Sequence, residues 1–352
     1  MEDLINFNID NLSVEQIEEL VNELRRQLGT LKSARSTVSK EIENELSLII
    51  CPKCHSVHIN KDGHDSRTKI QMYECKDCKK KFSALSLTVF SKTHFTYEQI
   101  TDIIECMNNK LSLRKTADKL GMNKNTIFTA RHKILDVLGT IRENIKLSGE
   151  IETDELYRPI NLKGTKKDKM PRSSKPRQSN GTSHKGITAH KVCILSAIDD
   201  NDNAFLEIAG TGPVTIQMIR SKLVSKIGNI KRLITDCKSS YEQVVKENNW
   251  NLIQIKSKTY VDNEGNSLAN INSYHSGFES FISPFRGVST KHLQHYLDWY
   301  MFSKYLNYTV EVAQQTKDFF KIIITKRTYI TSTNVYNNTS GINFNDVYAD
   351  YT

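Results

Sequence analysis

Apolar positions at helical spacing open the chain: Ile17, Leu20, Val21, Leu24, Leu28 and Leu31 follow Ser13, which has Gln16 three residues on. That is the spacing of a capping box leading into an apolar stripe, and it predicts one long amphipathic helix over 12–46. The stripe is too short to require a coiled coil, and packing on the neighbouring module is its expected use. Between 51 and 90 the periodicity gives way to turn-rich, Cys-bearing sequence with few long apolar runs, as in a small module that core burial alone cannot hold. Helical periodicity returns over 96–146. Tyr97 to Met107 predicts one helix and LSLRKTADKLGMNKNTIFTARHKIL two more, with Ala117, Leu120, Ile127 and Ile134 inward, Gly121 at the turn and Asn123 capping the last.

From 148 onward the period shortens. GEIETDELY, HKVCILSAID, NAFLEIAG, KRLITDC and NLIQIKS are short runs rich in β-branched residues and predict strands, with helices near 214–227 and 239–249 between them. This alternation predicts a mixed α/β sheet. A basic Ser/Gly/Pro-rich stretch, KGTKKDKMPRSSKPRQSNGTSHKG, lacks the apolar residues that would offset ordering entropy and reads as a flexible loop within 161–187. The expected organisation is a multidomain α/β chain: a helical segment at 1–48, a zinc ribbon at 49–92, a helix-turn-helix domain at 93–146, a mixed α/β domain at 147–310, and an extension at 311–352. The extension is apolar and β-branched early, then Asn-rich, and nothing in it assigns a function. Tyr296, Trp299, Tyr300 and Phe302 have the spacing of a core face rather than of base-stacking platforms.

The formal net charge of +9 favours a polyanionic partner without proving one. No stretch approaches the roughly 20 apolar residues of a membrane span, and the acidic opening MEDLINFNID lacks a signal peptide's basic start, so a cytoplasmic location is expected, with no membrane partner. Four of the seven cysteines form two pairs, Cys51/Cys54 and Cys75/Cys78, each a turn that presents two thiolates to one tetrahedral ion. A structural Zn²⁺ site is the reading; His55, His58 and His64 are surplus to a completed shell and are expected to be exposed. Cys106, Cys193 and Cys237 lie singly and are expected to be reduced thiols.

In a helix-turn-helix the start of the second helix enters the major groove, where Asn pairs with adenine and Lys or Arg with guanine or phosphate. Lys124, Asn125, Thr129 and Arg131 are the candidate contacts to double-stranded DNA. The chemistry points to carboxylates. Alternation along GEIETDELYR puts Glu152 and Asp154 on one strand face and Glu155 on the other, and Asp236 ends a second apolar strand. An aspartate at each of two strand ends, with a polar group from a later helix, can gather two Mg²⁺ or Mn²⁺ ions about 3.5–4 Å apart for in-line attack on phosphate. The segment NINSYHSGFESFISPF places Asn272, His275 and Glu279 on one helix face, with Asn272 nearest the helix start.

CPKC, YECKDCKKKFSALSLTVF, SLRKTADKLGMNKNT, ETDELY, HKVCILSAID, LITDCKSSY, NINSYH and FRGVSTKHLQHYLDWY occur in that order over roughly 50–305. Together they resemble the bacterial insertion-sequence DDE transposases with an N-terminal zinc ribbon, the ISXO-like group. The resemblance implies an RNase H-like catalytic domain. It matches Asp154 to the first acid and Asp236 to the second, with Asn272 at the third position and His275 as an auxiliary ligand or proton shuttle. It further implies binding of transposon ends and target DNA, oligomerisation on DNA, and two phosphoryl transfers: water cuts at the ends, and the freed 3′-hydroxyl attacks the target. One departure stands out. The family usually carries a basic residue seven positions after the third ligand, and Glu279 stands there. An impaired or domesticated transposase acting only as a DNA-binding protein is the alternative that Glu279 favours.

Overall fold

A computed structural model of the protein describes Glu18, Asn22 and residues 49–171, 187–256, 261–306, 311–325, 335 and 340–348. The helix expected over 12–46 and most of the basic loop lie outside these residues.

Among the described residues the chain is a mixed α/β protein with two sheets. The first is a three-stranded antiparallel sheet of β1 (Ile59–His64), β2 (Gln71–Cys75) and β3 (Lys81–Ser83). Its own core is very small: Cys51, Tyr73, Cys75, Phe82 and Ala84 are the buried residues that pack together there.

Three helices follow, each started by a capping side chain, of which Asn123 was expected from the sequence. α1 (Tyr97–Asn108) opens on a reciprocal pair in which Gln99 N donates to Thr96 Oγ1 at 3.2 Å and Thr96 N donates to Gln99 Oε1 at 3.0 Å. α2 (Leu113–Leu120) is capped by Ser112 and stopped by Gly121, whose φ of +62° is the left-handed conformation that costs glycine least. Asn123 then caps α3 (Lys124–Glu143), accepting from Asn125 N at 2.8 Å. α3 runs well past the point where a compact three-helix unit would end. Ile134, Leu135, Val137 and Leu138 are buried, and the second half of the helix lies against α7, introduced below.

The second sheet has five strands: β4 (Leu147–Pro159), β5 (Lys191–Asp199), β6 (Ala204–Thr211), β7 (Ile227–Asp236) and β8 (Leu252–Ile255). Their spatial order is β6-β5-β4-β7-β8, with β4, β5 and β6 antiparallel in sequence and β7 and β8 parallel to β4. The parallel strands need crossovers, supplied by α4 (Ile216–Lys222) between β6 and β7 and α5 (Ser239–Asn248) between β7 and β8. α4 is shorter than the helix expected at 214–227: it closes in a 3-10 turn at Val224–Lys226, and β7 begins at once.

α6 (Ala269–Ile282) lies on the face of β4 that carries Glu152 and Asp154, and α7 (Leu293–Tyr305) covers the β6 edge. Gln294 is the device that closes this edge, since its side chain accepts from Ile208 N at 2.9 Å and donates to Leu206 O at 3.1 Å. Tyr296, Trp299, Tyr300 and Phe302 are buried at 1–5% exposure, as the core reading required. The extension supplies α8 (Val312–Thr325), which packs on α1: Phe320 sits edge-on to Tyr97 and Asn108 Nδ2 donates to Thr316 Oγ1 at 3.1 Å. A short α9 (Phe344–Val347) is the last described helix.

Candidate active site and metal centres

The two cysteine pairs meet. Cys51 Sγ lies 3.4 Å from Cys78 Sγ and Cys54 Sγ lies 3.5 Å from Cys75 Sγ. A disulfide would need about 2.05 Å, whereas a tetrahedral Zn–S shell with bonds of about 2.3 Å has sulfur–sulfur edges near 3.8 Å. The turns are built alike: His55 N donates to Cys51 O at 3.0 Å and Lys79 N to Cys75 O at 2.9 Å. Each pair is followed by a left-handed residue, His55 at φ +59° and Lys79 at φ +56°. Two side-chain-bearing residues held in that region, at matching positions, are what paired metal knuckles require. The four sulfurs can hold Zn²⁺, and His55, His58 and His64 are exposed.

The DNA-contact candidates divide. Lys124 and Asn125 are exposed at the start of α3 and Thr129 is half-buried, but Arg131 is fully buried. Arg131 donates from Nη2 to Leu111 O at 2.8 Å and to Thr116 Oγ1 at 3.2 Å, and its guanidinium stacks over Trp299 and Phe285. The expectation that it meets DNA is corrected: it shares the inward face with Ile127 and Ile134, four and three residues away, and couples the helical unit to α7. Arg131→Ala is expected to lower stability by about 3 kcal/mol while leaving the salt slope of DNA binding unchanged. Lys124→Ala is expected to reduce that slope by about one and leave the melting temperature alone, as salt titrations and thermal melts will read.

The acids assemble on the large sheet. β4 and β7 are parallel with Glu152 opposite Ile234, and two residues further the same register sets Asp154 beside Asp236. Lys238, at the start of α5, lies among three carboxylates: its Nζ is 2.8 Å from Asp236 Oδ2 and 3.7 Å from Asp154 Oδ1, and it is hydrogen-bonded to Glu155. Burial pulls the Lys238 ammonium down, but Glu155 and Asp236 outweigh it and raise its pKa. Burial raises the Asp154 carboxyl, against the pull of Lys238, and raises Glu155 likewise. Glu155 is held from the opposite face by Tyr241 Oη at 2.5 Å. Asp236 Oδ1 is buried and has no hydrogen-bond partner, an acceptor that a cation would satisfy. The residues present therefore fit a divalent ion.

Three anchors run α6 along β4. Glu152 accepts from Asn270 Nδ2 at 2.8 Å and from Ile271 N at 2.9 Å, at the helix start. Ser196, the cross-strand partner of Asp154, lies 2.5 Å through Oγ from His275 Nε2, and Arg158 pairs with Glu279. Ser196 Oγ gives its own hydrogen to Asp154 O at 2.7 Å, so His275 Nε2 must donate. His275 is 9% exposed, and burial holds it neutral with a pKa down at about 4. Its expected part as ligand or proton shuttle is corrected for this nitrogen: it braces the strand that carries Asp154. Asn272 is exposed, one helical turn before His275. Glu279 does not stand bare, since the Arg158 guanidinium neutralises it and packs over Phe278. Sequence reading missed Lys238, Ser196 and Arg158. Arg158 alone carried a signal, four residues beyond Asp154 on the same strand face.

Among the described residues no helix is long and apolar enough to cross a membrane. Residues 146–303 match the ISXO2-like transposase domain, a span opening just before β4 and ending within α7. A relative from Halobacterium salinarum, an uncharacterized protein in transposable element ISH50, is 23% identical over 257 residues, covering 71% of this chain and 83% of its own length. A crystal structure of a pre-cleavage Mos1 transpososome matches at 9% identity over 67% of this chain and 80% of that one, with a TM-score of 0.21, too low to carry weight. The domain match and the relative agree with the motifs read from the sequence: residues 146–303 match the ISXO2-like transposase domain, and the chain is similar to a protein of a transposable element.

Proposed function

We propose that the protein binds the ends of its insertion sequence and catalyses metal-dependent strand cleavage and strand transfer, with Asp154, Asp236 and Asn272 as the metal-binding set. The observation that carries this is the acid pair on adjacent parallel strands, with Asp236 Oδ1 buried and unpartnered and a lysine ammonium beside it. The strand order β6-β5-β4-β7-β8 supports an RNase H-like reading of 147–310, with the acids on its central strands. Asn272 lies between the Glu152 and Ser196 anchors along α6, which favours it as the third ligand. Divalent cations there would polarise the scissile phosphate and stabilise charge on the attacking and leaving oxygens. The chain's own part is positioning: Glu152 fixes the start of α6, His275 and Ser196 brace Asp154, and Lys238 offsets the charge of the carboxylates before a cation arrives.

In the same reading 49–92 is a zinc ribbon and 93–146 a helix-turn-helix that meets DNA through Lys124, Asn125 and Thr129, while the protein works in the cytoplasm as an oligomer on paired ends. Glu279 is the ground for a binding-only protein, and its pairing with Arg158, which offsets its charge, favours the catalytic reading. The test is cleavage and joining of labelled DNA bearing the element's own ends with Mg²⁺ or Mn²⁺. Products are expected; an intact protein that binds the ends and never cuts them with either ion sinks the catalytic reading. Lys238→Met should tighten Mn²⁺ binding by about tenfold, because a like charge leaves the site, and calorimetric titration reads it directly.

A further inference from the structure

We propose that His132, His292 and His295 form a second, structural Zn²⁺ site that clamps α3 to α7, separate from the four cysteines and from the acid pair. His132 lies on α3, His292 ends the 3-10 turn Thr290–His292, and His295 lies on the first turn of α7. His132 is distant in sequence from the other two, yet a ring nitrogen of each lies within 4.8 Å of the others. Their exposures are 1%, 6% and 4%.

Packing alone accounts poorly for this cluster. His132 Nδ1 and His295 Nδ1 are 2.8 Å apart and can share one hydrogen, but His292 Nδ1 is buried with no hydrogen-bond partner. An unmet buried polar atom costs about 1–3 kcal/mol, and three imidazoles together multiply the desolvation without a matching set of donors and acceptors. A cation satisfies all three lone pairs at once. The neutral imidazole is the ligating form, and burial favours it at His132 and His292.

The surroundings have the makings of a metal site. His292 and His295 stand three residues apart, so both can face one point. Asp136, one turn beyond His132 on α3, lies 3.7 Å from His295 Nε2, the outer position from which a carboxylate orients a ligating imidazole by its far nitrogen. The Phe128 ring packs against His132 at 4.3 Å and His292 at 5.5 Å and excludes water from one side. A tetrahedral Zn–N shell has nitrogen–nitrogen edges of about 3.3 Å. Ligation therefore opens the His132–His295 pair slightly and draws His292 inward, movements within reach of imidazole rotation. Burial on this scale leaves no path for substrate, so the site holds structure. Its place at the joint between α3 and α7 means that the ion fixes the DNA-facing helix relative to the acid-bearing sheet.

The experiment is metal content and cobalt spectroscopy on the full-length protein in an Asp236→Asn background, which keeps the acid pair from contributing. Two zinc ions per chain are expected. In Cys54→Ser, Co²⁺ should still bind at the histidines, giving nitrogen-site ligand-field bands, while the thiolate charge transfer of the four-sulfur site weakens or is lost. In His295→Gln the nitrogen-site bands should disappear while the thiolate bands stay. Zinc content that falls to one ion in His295→Gln, with the circular dichroism spectrum retained, supports the site. Unchanged zinc content in that variant overturns it. So does a Cys54→Ser protein that binds no Co²⁺ while keeping its helical signal, which is the readout to use if His295→Gln fails to fold.

Discussion

Asp236→Ala is expected to lower metal-dependent strand cleavage by about a thousandfold or more, comparable to removing a principal electrostatic stabiliser from a transition state, while end binding is kept or slightly strengthened. The reason is local. Asp236 closes β7, Asp154 lies beside it on β4, and among the described residues Lys238 is the cation bonded to the pair. Removing Asp236 takes away the buried oxygen that has no other partner and leaves a site with one aspartate fewer to fix an ion. DNA affinity should not fall, because an anion has gone from a surface that faces phosphate. Asp154→Asn should behave alike, with an additional change in Lys238, whose remaining partners would be Glu155 and Asp236. A gel assay of cleavage beside a binding titration separates the outcomes. Cleavage near wild-type rate in Asp236→Ala would remove this residue from the catalytic set, whatever the fold.

The second large effect concerns the cysteines. Chelation, or Cys75→Ser, should unfold residues 49–92 while the large sheet remains. Ile70, Leu85, Val89 and Phe90 pack into the main core, and the five buried side chains of the ribbon's own cluster cannot offset the ordering of the rest, whereas structural zinc supplies about 10–16 kcal/mol in comparable small modules. His55 and Lys79 are also held in left-handed backbone that nothing but the knuckle geometry requires. Limited proteolysis should show cleavage confined to 49–92 after chelation, with near-UV signals from Trp299 and its aromatic neighbours preserved. A module that stays protease-resistant without metal would mean that contacts with its neighbours, rather than an ion, hold it.

Much of this was legible along the chain because it is local. The five strands of the large sheet fall where β-branched runs predicted them, and Asn123 starts its helix as its position implied. The CxxC spacing gave the sulfur cluster, and an aspartate in each of two strands gave the acid pair. Arg131 shares the inward period of Ile127 and Ile134, and burial of that face, not its charge, fixes where the guanidinium goes.

Other features have no signature along the chain. Lys238 among three carboxylates, Arg158 against Glu279 and His275 against Ser196 each join residues from different elements. The three histidines lie on two helices and a turn more than 150 residues apart at their widest, since His132 and His295 differ by 163 positions. Hydrophobic period, capping and metal-knuckle spacing are short-range and can be read from neighbours in sequence, so the sequence by itself determined the elements, the cysteine cluster and the identities of the acids. Which charges neutralise one another depends on how strands order and helices dock, through contacts whose partners are set by packing. The tertiary structure alone decided that Arg131 is core, that Glu279 is paired, and that His132, His292 and His295 converge.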